Sequence, residues 1–160
     1  MSFPPSSSRS SSAAMQLLSN GLYTVMLSGN GTGFDRCHGL AVTRWREGRG
    51  EKALARWRTT AQAAAKQSRR ARFPVIDELA STRDVADRLR RAAAGVLLHE
   101  EAEVPIGALE PPLTGEIVVV VGPEGGVSPE ELAVLVGAGA TAYRLGPTVL
   151  RTSTAGTAAL

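Results

Sequence analysis

The chain has 160 residues, 43% of them hydrophobic and 21% charged, with a formal net charge of +3 at pH 7. This composition suits a single soluble domain with its own core and excludes disordered and collagen-like classes. No apolar run approaches the roughly 20 residues of a membrane span, and a single cysteine, Cys37, excludes an internal disulfide or a multi-cysteine metal site.

The basic charge is concentrated. Between Arg44 and Arg72 stand ten basic residues, Arg44, Arg46, Arg49, Lys52, Arg56, Arg58, Lys66, Arg69, Arg70 and Arg72, opposed only by Glu47 and Glu51. Such a block points to an anionic partner, nucleic acid being the usual one. A solvated helix face is the competing reading, because among the 18 basic residues only Lys52 and Lys66 are lysines. With two Trp, two Tyr and three Phe, an independent base-stacking RNA module is not expected.

Residues 1–14 are rich in Ser and Pro and read as disordered. Residues 15–40 hold five glycines and sustain neither helical nor strand periodicity, so little order is expected there. They also lack the pattern of a signal peptide. Leu40–Trp45 reads as a short strand. Leu54, Trp57, Ala61, Ala64 and Ala65 recur at helical spacing, which predicts a helix from about Glu51 to Ser68. Phe73–Ile76 reads as a strand. Ser81 with Asp84 begins a second helix, expected to reach Ala94 and to stop at Gly95. Gly95–His99 and Ile117–Val121 read as buried strands. Between Ser128 and Gly137 or Gly139 a third helix is expected, with Pro129 at its first position, acidic Glu130 and Glu131 following, and Leu132, Leu135 and Val136 facing the core. Thr141–Leu145 reads as the last strand, and Thr152 opens a final short helix. Strands alternating with helices predict an α/β fold with a mostly parallel sheet.

Two glycine turns follow predicted strands, Gly122-Pro123-Glu124-Gly125-Gly126 and Leu145-Gly146-Pro147. Loops of this kind at strand ends are where an α/β protein binds small ligands. The chain has neither Gly-Lys-Ser/Thr nor Gly-x-Gly-x-x-Gly, so a phosphate cradle is not supported. Glu124 is either a ligand contact or a helix-start acid. Arg151, next to Thr152, Ser153 and Thr154, suits a carboxylate, a phosphate or a base carbonyl, or else a salt bridge to Glu124. His99 either faces the ligand or merely ends its strand. His38 beside Cys37 has no second pair, so no metal is expected.

These blocks resemble the RsmE family of 16S ribosomal RNA uridine-N3 methyltransferases, within the SPOUT superfamily. The resemblance is carried by Gly122-Pro123-Glu124-Gly125-Gly126, Ser128-x-x-Glu131, Leu145-Gly146 and Leu150-Arg151-Thr152-x-Thr154-Ala155. Upstream it is carried by Ala63-Ala64-x-x-Gln67-Ser68-x-Arg70 and Pro74. It covers about Val42 to Leu160.

The resemblance implies a SPOUT-type (alpha/beta knot) domain over residues 41–160, with a C-terminal trefoil knot. It implies S-adenosylmethionine bound by Leu98, His99, Gly122, Glu124, Gly125, Gly126, Leu145, Gly146 and Leu150. It also implies methylation of a uridine N3 in 16S ribosomal RNA of the small subunit, a homodimer, a cytoplasmic location and no metal. Arg151 is the first catalytic candidate and Arg70 the second. Arg56, Lys66, Arg69, Arg70 and Arg72 are the RNA-binding candidates. Another SPOUT RNA methyltransferase, or a non-catalytic remnant binding the cofactor or RNA, are the alternatives.

The family's PUA-like N-terminal barrel has no counterpart here, and residues 1–40 match nothing in the family pattern. A truncated or frame-shifted N-terminus is therefore expected.

Overall fold

The structure is a computed structural model that describes residues 22–29, 37–43, 49–69, 73–123, 126–150 and 152–159. Six strands form one sheet: β1 (Leu22–Gly29), β2 (Cys37–Thr43), β3 (Val75–Ala80), β4 (Ala94–Leu98), β5 (Glu116–Val121) and β6 (Ala140–Tyr143). Among the described residues four α-helices accompany them: α1 (Arg49–Gln67), α2 (Thr82–Leu89), α3 (Pro129–Gly137) and α4 (Thr152–Ala158). The strand order is β3-β2-β1-β5-β4-β6. β4 is parallel to both β5 and β6, and β2 is parallel to β3. β1 runs antiparallel to its neighbours β2 and β5. The class is α/β, as the alternation of elements predicts, and the sheet is parallel in three of its five pairings, with β1 as the antiparallel exception.

The sheet is buried on both faces around β4 and β5, which explains their unbroken apolar sequences. On one face Leu97, Val118 and Val120 pack with Val85, Leu89 and Leu135 from α2 and α3. On the other face Val96, Leu98, Val119 and Val121 pack with Ala155 of α4. A separate cluster joins Leu54, Trp57 and Ala61 of α1 to Ile76 of β3. Arg58 ties the same two elements together, donating to the Ile76 carbonyl at 3.2 Å and to Glu78 at 2.7 Å.

Helix starts follow the sequence signals closely. Ser81 and Ser128 each accept from the backbone N–H three residues on, while Asp84 and Glu131 accept from the cap N–H in return.

Several expectations need correction. Residues 22–29 and 37–43 are strands, although the sequence of 15–40 predicts little order. The strand partner, not an intrinsic period, supplies their order, since β1 pairs along the whole of β5. α2 stops at Leu89, short of Ala94, because the chain must turn back to the sheet and Ala93 N–H is used by the Glu116 carbonyl at 2.8 Å. Gly95 is not a helix stop. It lies within β4, where a Cβ would sit 2.7 Å from Leu89 Cδ2 and 3.0 Å from Ala140 Cα.

Val136 is 47% exposed, so the third helix uses Leu135, with Leu132 partly buried, as its core residues. Ala64 is exposed while Ala61 and Ala65 are buried. β3 begins after Pro74, which has no N–H to contribute to a ladder. β6 is shifted one residue earlier than expected at its start and ends at Tyr143.

Candidate functional site

β4 lies between the two strands that follow it in the chain, β5 on one side and β6 on the other. The connections leaving the carboxyl ends of these strands therefore diverge around it. In α/β sheets such a switch point opens a crevice at the strand ends. A cavity of about 410 Å³ lies there, within the size range of small-molecule sites.

Three loops and one helix build its wall. From the end of β4 come Leu98, His99 and Glu100; from the turn after β5, Gly122, Pro123, Gly126 and Val127. The third loop, Arg144 to Leu150, follows β6, and Ala155 of α4 adds to the wall. Leu98, Val121, Leu145 and Ala155 make it apolar where it meets the core.

The β5 turn is built for close approach. Gly126 has a φ of 76°, which side chains disfavour, and its N–H donates to the Pro123 carbonyl at 2.9 Å. At Gly122 a Cβ would lie 2.9 Å from Val127 Cγ2. The chain is thus folded tightly enough to leave backbone groups at the cavity edge.

His99 is fixed in two ways. Its N–H donates to the Tyr143 carbonyl at 3.0 Å, joining the ends of β4 and β6. Its Nδ1 accepts from the Glu101 N–H at 3.2 Å. A neutral ring held in this way carries its proton on Nε2 and is a donor there. Beyond β6, Arg144 N–H donates to the Val104 carbonyl at 2.8 Å, and Ile106 N–H donates to the Arg144 carbonyl at 2.9 Å. The third loop is pinned at its root.

Of the expected cofactor residues, Leu98, His99, Gly122, Gly126, Leu145, Gly146 and Leu150 all meet at this one cavity. Glu124, Gly125, Arg151, Arg70 and Arg72 lie outside the described residues. Arg56, Lys66 and Arg69 belong to α1 or its end, are exposed, and do not line the cavity. Sequence reasoning missed Glu100, Arg144 and Val149 as lining residues. For Glu100 and Arg144 the available signal was adjacency to His99 and Leu145. Among the described residues no three His, Cys, Asp or Glu side chains group as a metal site.

An apolar slot edged by glycine-loop backbone, with charged groups at one side, suits a flat heterocycle carrying a polar tail. A family model described as an RNA methyltransferase domain matches residues 37–160. The chain belongs to that family.

Its similarity to individual members is substantial. The ribosomal RNA small subunit methyltransferase E of Mycobacterium bovis is 50% identical over 74% of this chain and 47% of its own length. The Bacillus subtilis protein of the same name is 29% identical over 72% of this chain and 48% of its own. The chain therefore spans about half the length of the curated relatives it matches.

Among solved structures, the Neisseria gonorrhoeae methyltransferase E, bound to S-adenosylmethionine, superposes with a TM-score of 0.62 at 31% identity, covering 74% of this chain and 50% of that one. A Legionella pneumophila methyltransferase with the same cofactor bound gives 0.58 at 26% identity, covering 73% and 48%. The resemblance to RsmE proteins drawn from the motifs is borne out by these matches.

Proposed function

We propose that this chain is the S-adenosylmethionine-binding half of a ribosomal RNA methyltransferase, acting on a uridine N3 of 16S RNA in the small subunit. The observation that carries this reading is the convergence of the three family loops on a single cavity of suitable size. Relatives named as small-subunit RNA methyltransferases support the substrate, and cofactor-bound neighbours support the ligand.

S-adenosylmethionine fits the residues present, and when bound it supplies a methyl group activated on sulfonium sulfur. The glycine turn at Gly122 and Gly126 and the backbone of Leu145 and Gly146 would edge its adenine. Leu98 and Leu150 would cover its apolar surface, and Glu124 and Gly125 complete the proposed set. A neutral His99 can donate from Nε2 to the ligand, since its Nδ1 already accepts from the Glu101 N–H. A uridine N3–H must give up its proton, here to solvent, for the nitrogen to take the methyl, whose bond to sulfur would break as its bond to nitrogen forms. Arg151, with Arg70 second, is proposed to stabilise the negative charge that then spreads onto the base carbonyls. Holding the base against the methyl contributes the remainder.

RNA is proposed to lie along Arg56, Lys66, Arg69, Arg70 and Arg72. Residues 41–160 are proposed as the SPOUT domain, joined in its sheet by β1 and the start of β2, with the C-terminal trefoil knot and homodimer that the family resemblance implies. A cytoplasmic setting fits a ribosomal substrate. No helix among the described residues is long and apolar enough to cross a membrane.

The test incubates the chain with methyl-labelled cofactor and small ribosomal subunits that lack the modification, followed by nuclease digestion and mass spectrometry. N3-methyluridine is the expected product. Cofactor binding by a folded chain with no transfer to RNA overturns the enzymatic reading and leaves a binding remnant. Transfer to transfer RNA instead of small subunits favours a different SPOUT substrate.

A further inference from the structure

The cavity contains an unexplained pair of opposite charges. Glu100 and Arg144 both line it, and neither makes an ion pair with the other or with any described residue. Both are exposed, and among the described residues that line the cavity they are the only Asp, Glu, Lys or Arg side chains. Two opposite charges on one cavity wall, left unneutralised by each other, suit a ligand that carries both signs.

Their placement comes from the sheet. Leu98 pairs with Tyr143 in parallel register, and the His99 N–H bond to the Tyr143 carbonyl carries the pairing one step further. The chain therefore leaves β4 and β6 side by side, delivering Glu100 and Arg144 to the same end of the cavity. Arg144 is anchored through its own N–H and carbonyl to Val104 and Ile106, so its side chain projects from a fixed base.

We propose that Arg144 and Glu100 form a clamp for an α-amino-acid zwitterion, Arg144 taking the carboxylate and Glu100 the ammonium. This rests on the cofactor reading above, and the zwitterion is the methionyl end of S-adenosylmethionine. An RNA phosphate is the weaker fit, because Glu100 repels the anion that Arg144 attracts. A guanidinium gives a carboxylate two parallel donors, and charge-assisted bonds of this kind are the stronger class.

The test titrates the 160-residue chain by calorimetry with S-adenosylmethionine and with 5′-methylthioadenosine, which keeps the adenosine and the sulfur but lacks the amino-acid tail. Arg144→Gln and Glu100→Gln are each expected to weaken S-adenosylmethionine binding about tenfold or more. Methylthioadenosine affinity should stay within about twofold, which also reports that the variants fold. Arg144→Lys should recover part of the loss.

Equal weakening of both ligands, or of neither, overturns the clamp while leaving the cofactor site intact. Unchanged S-adenosylmethionine affinity with weakened RNA retention in Arg144→Gln also overturns it and moves that residue to a phosphate. If the unaltered, folded chain binds neither ligand, the cofactor reading itself fails, and the clamp with it.

Discussion

Gly95 shows how a single residue can serve two neighbours at once. Its missing side chain lets β4 press against Leu89 of α2 and against the Gly139–Ala140 backbone. Two of the three nearest atoms are backbone, so they have little room to retreat. Gly95→Ala should cost about 1–3 kcal/mol through overpacking, read as a lower denaturant midpoint in chemical unfolding. Leu97 is the contrasting case, fully buried with 0% exposure between the sheet and its helices. Leu97→Ala should cost about 2–5 kcal/mol by removing apolar contacts and leaving a cavity. The same unfolding experiment checks it. If Gly95→Ala proves neutral, the close approach of β4 to α2 is looser than the geometry implies.

At the scale of elements, the helix starts carry a pH signature. The hydroxyl and backbone N–H of Ser81 donate to the Asp84 carboxylate at 2.6 and 2.8 Å. These bonds, the hydroxyl first, favour the ionised form and hold Asp84 below its ordinary 3.8. A carboxyl whose folded value is depressed adds stability above its unfolded value and loses it as pH falls through the folded value. The stability gap between the native chain and Asp84→Asn should therefore be full at neutral pH and shrink once pH drops below 3.8. Denaturation at several pH values measures it, and a gap that does not narrow in acid would reject the assignment. Ser128→Ala removes the corresponding cap of α3 and should cost about 1 kcal/mol.

At the scale of the whole molecule, Arg88 joins parts far apart in sequence. From α2 it donates to Asp77 of β3 at 3.1 Å and to Glu116 of β5 at 2.9 Å. The three side chains are about a quarter to a third exposed, between 24% and 31%. Arg88→Ala should cost about 1–2 kcal/mol, between the surface and buried regimes of ion pairs, and a double-mutant cycle with Glu116→Gln measures the coupling.

The basic face of α1 acts at the same scale, because it lies away from the cavity and its proposed role concerns RNA as a polymer. Replacing Arg56 and Lys66 with alanine should weaken RNA binding. On single strands it should also flatten the salt dependence by about 0.7 for each phosphate no longer neutralised. Filter binding across salt concentrations reads the slope. An unchanged slope would take α1 out of the RNA path.

The sequence alone determined what local chemistry dictates. Capped helix starts at Ser81 and Ser128 were legible because side-chain and backbone partners lie three residues apart. So were the continuous apolar strands and the glycine turns, whose needs are written in adjacent residues. The helical seam of Leu54, Trp57, Ala61 and Ala65 follows from one period. Family membership was legible for the same reason, since its motifs are short and contiguous.

Other features depended on contacts between segments distant in the chain. The end of α2 is set by where β4 must enter the sheet, which overrides the helix propensity of Ala92 and Ala93. β1 gains its order from pairing with β5, a partner about ninety residues away that no local pattern records. Glu100 and Arg144 became a pair only when parallel register brought the ends of β4 and β6 together. Tertiary structure decided these points because register, burial on both faces and the placing of opposite charges on one wall are properties of packed neighbours.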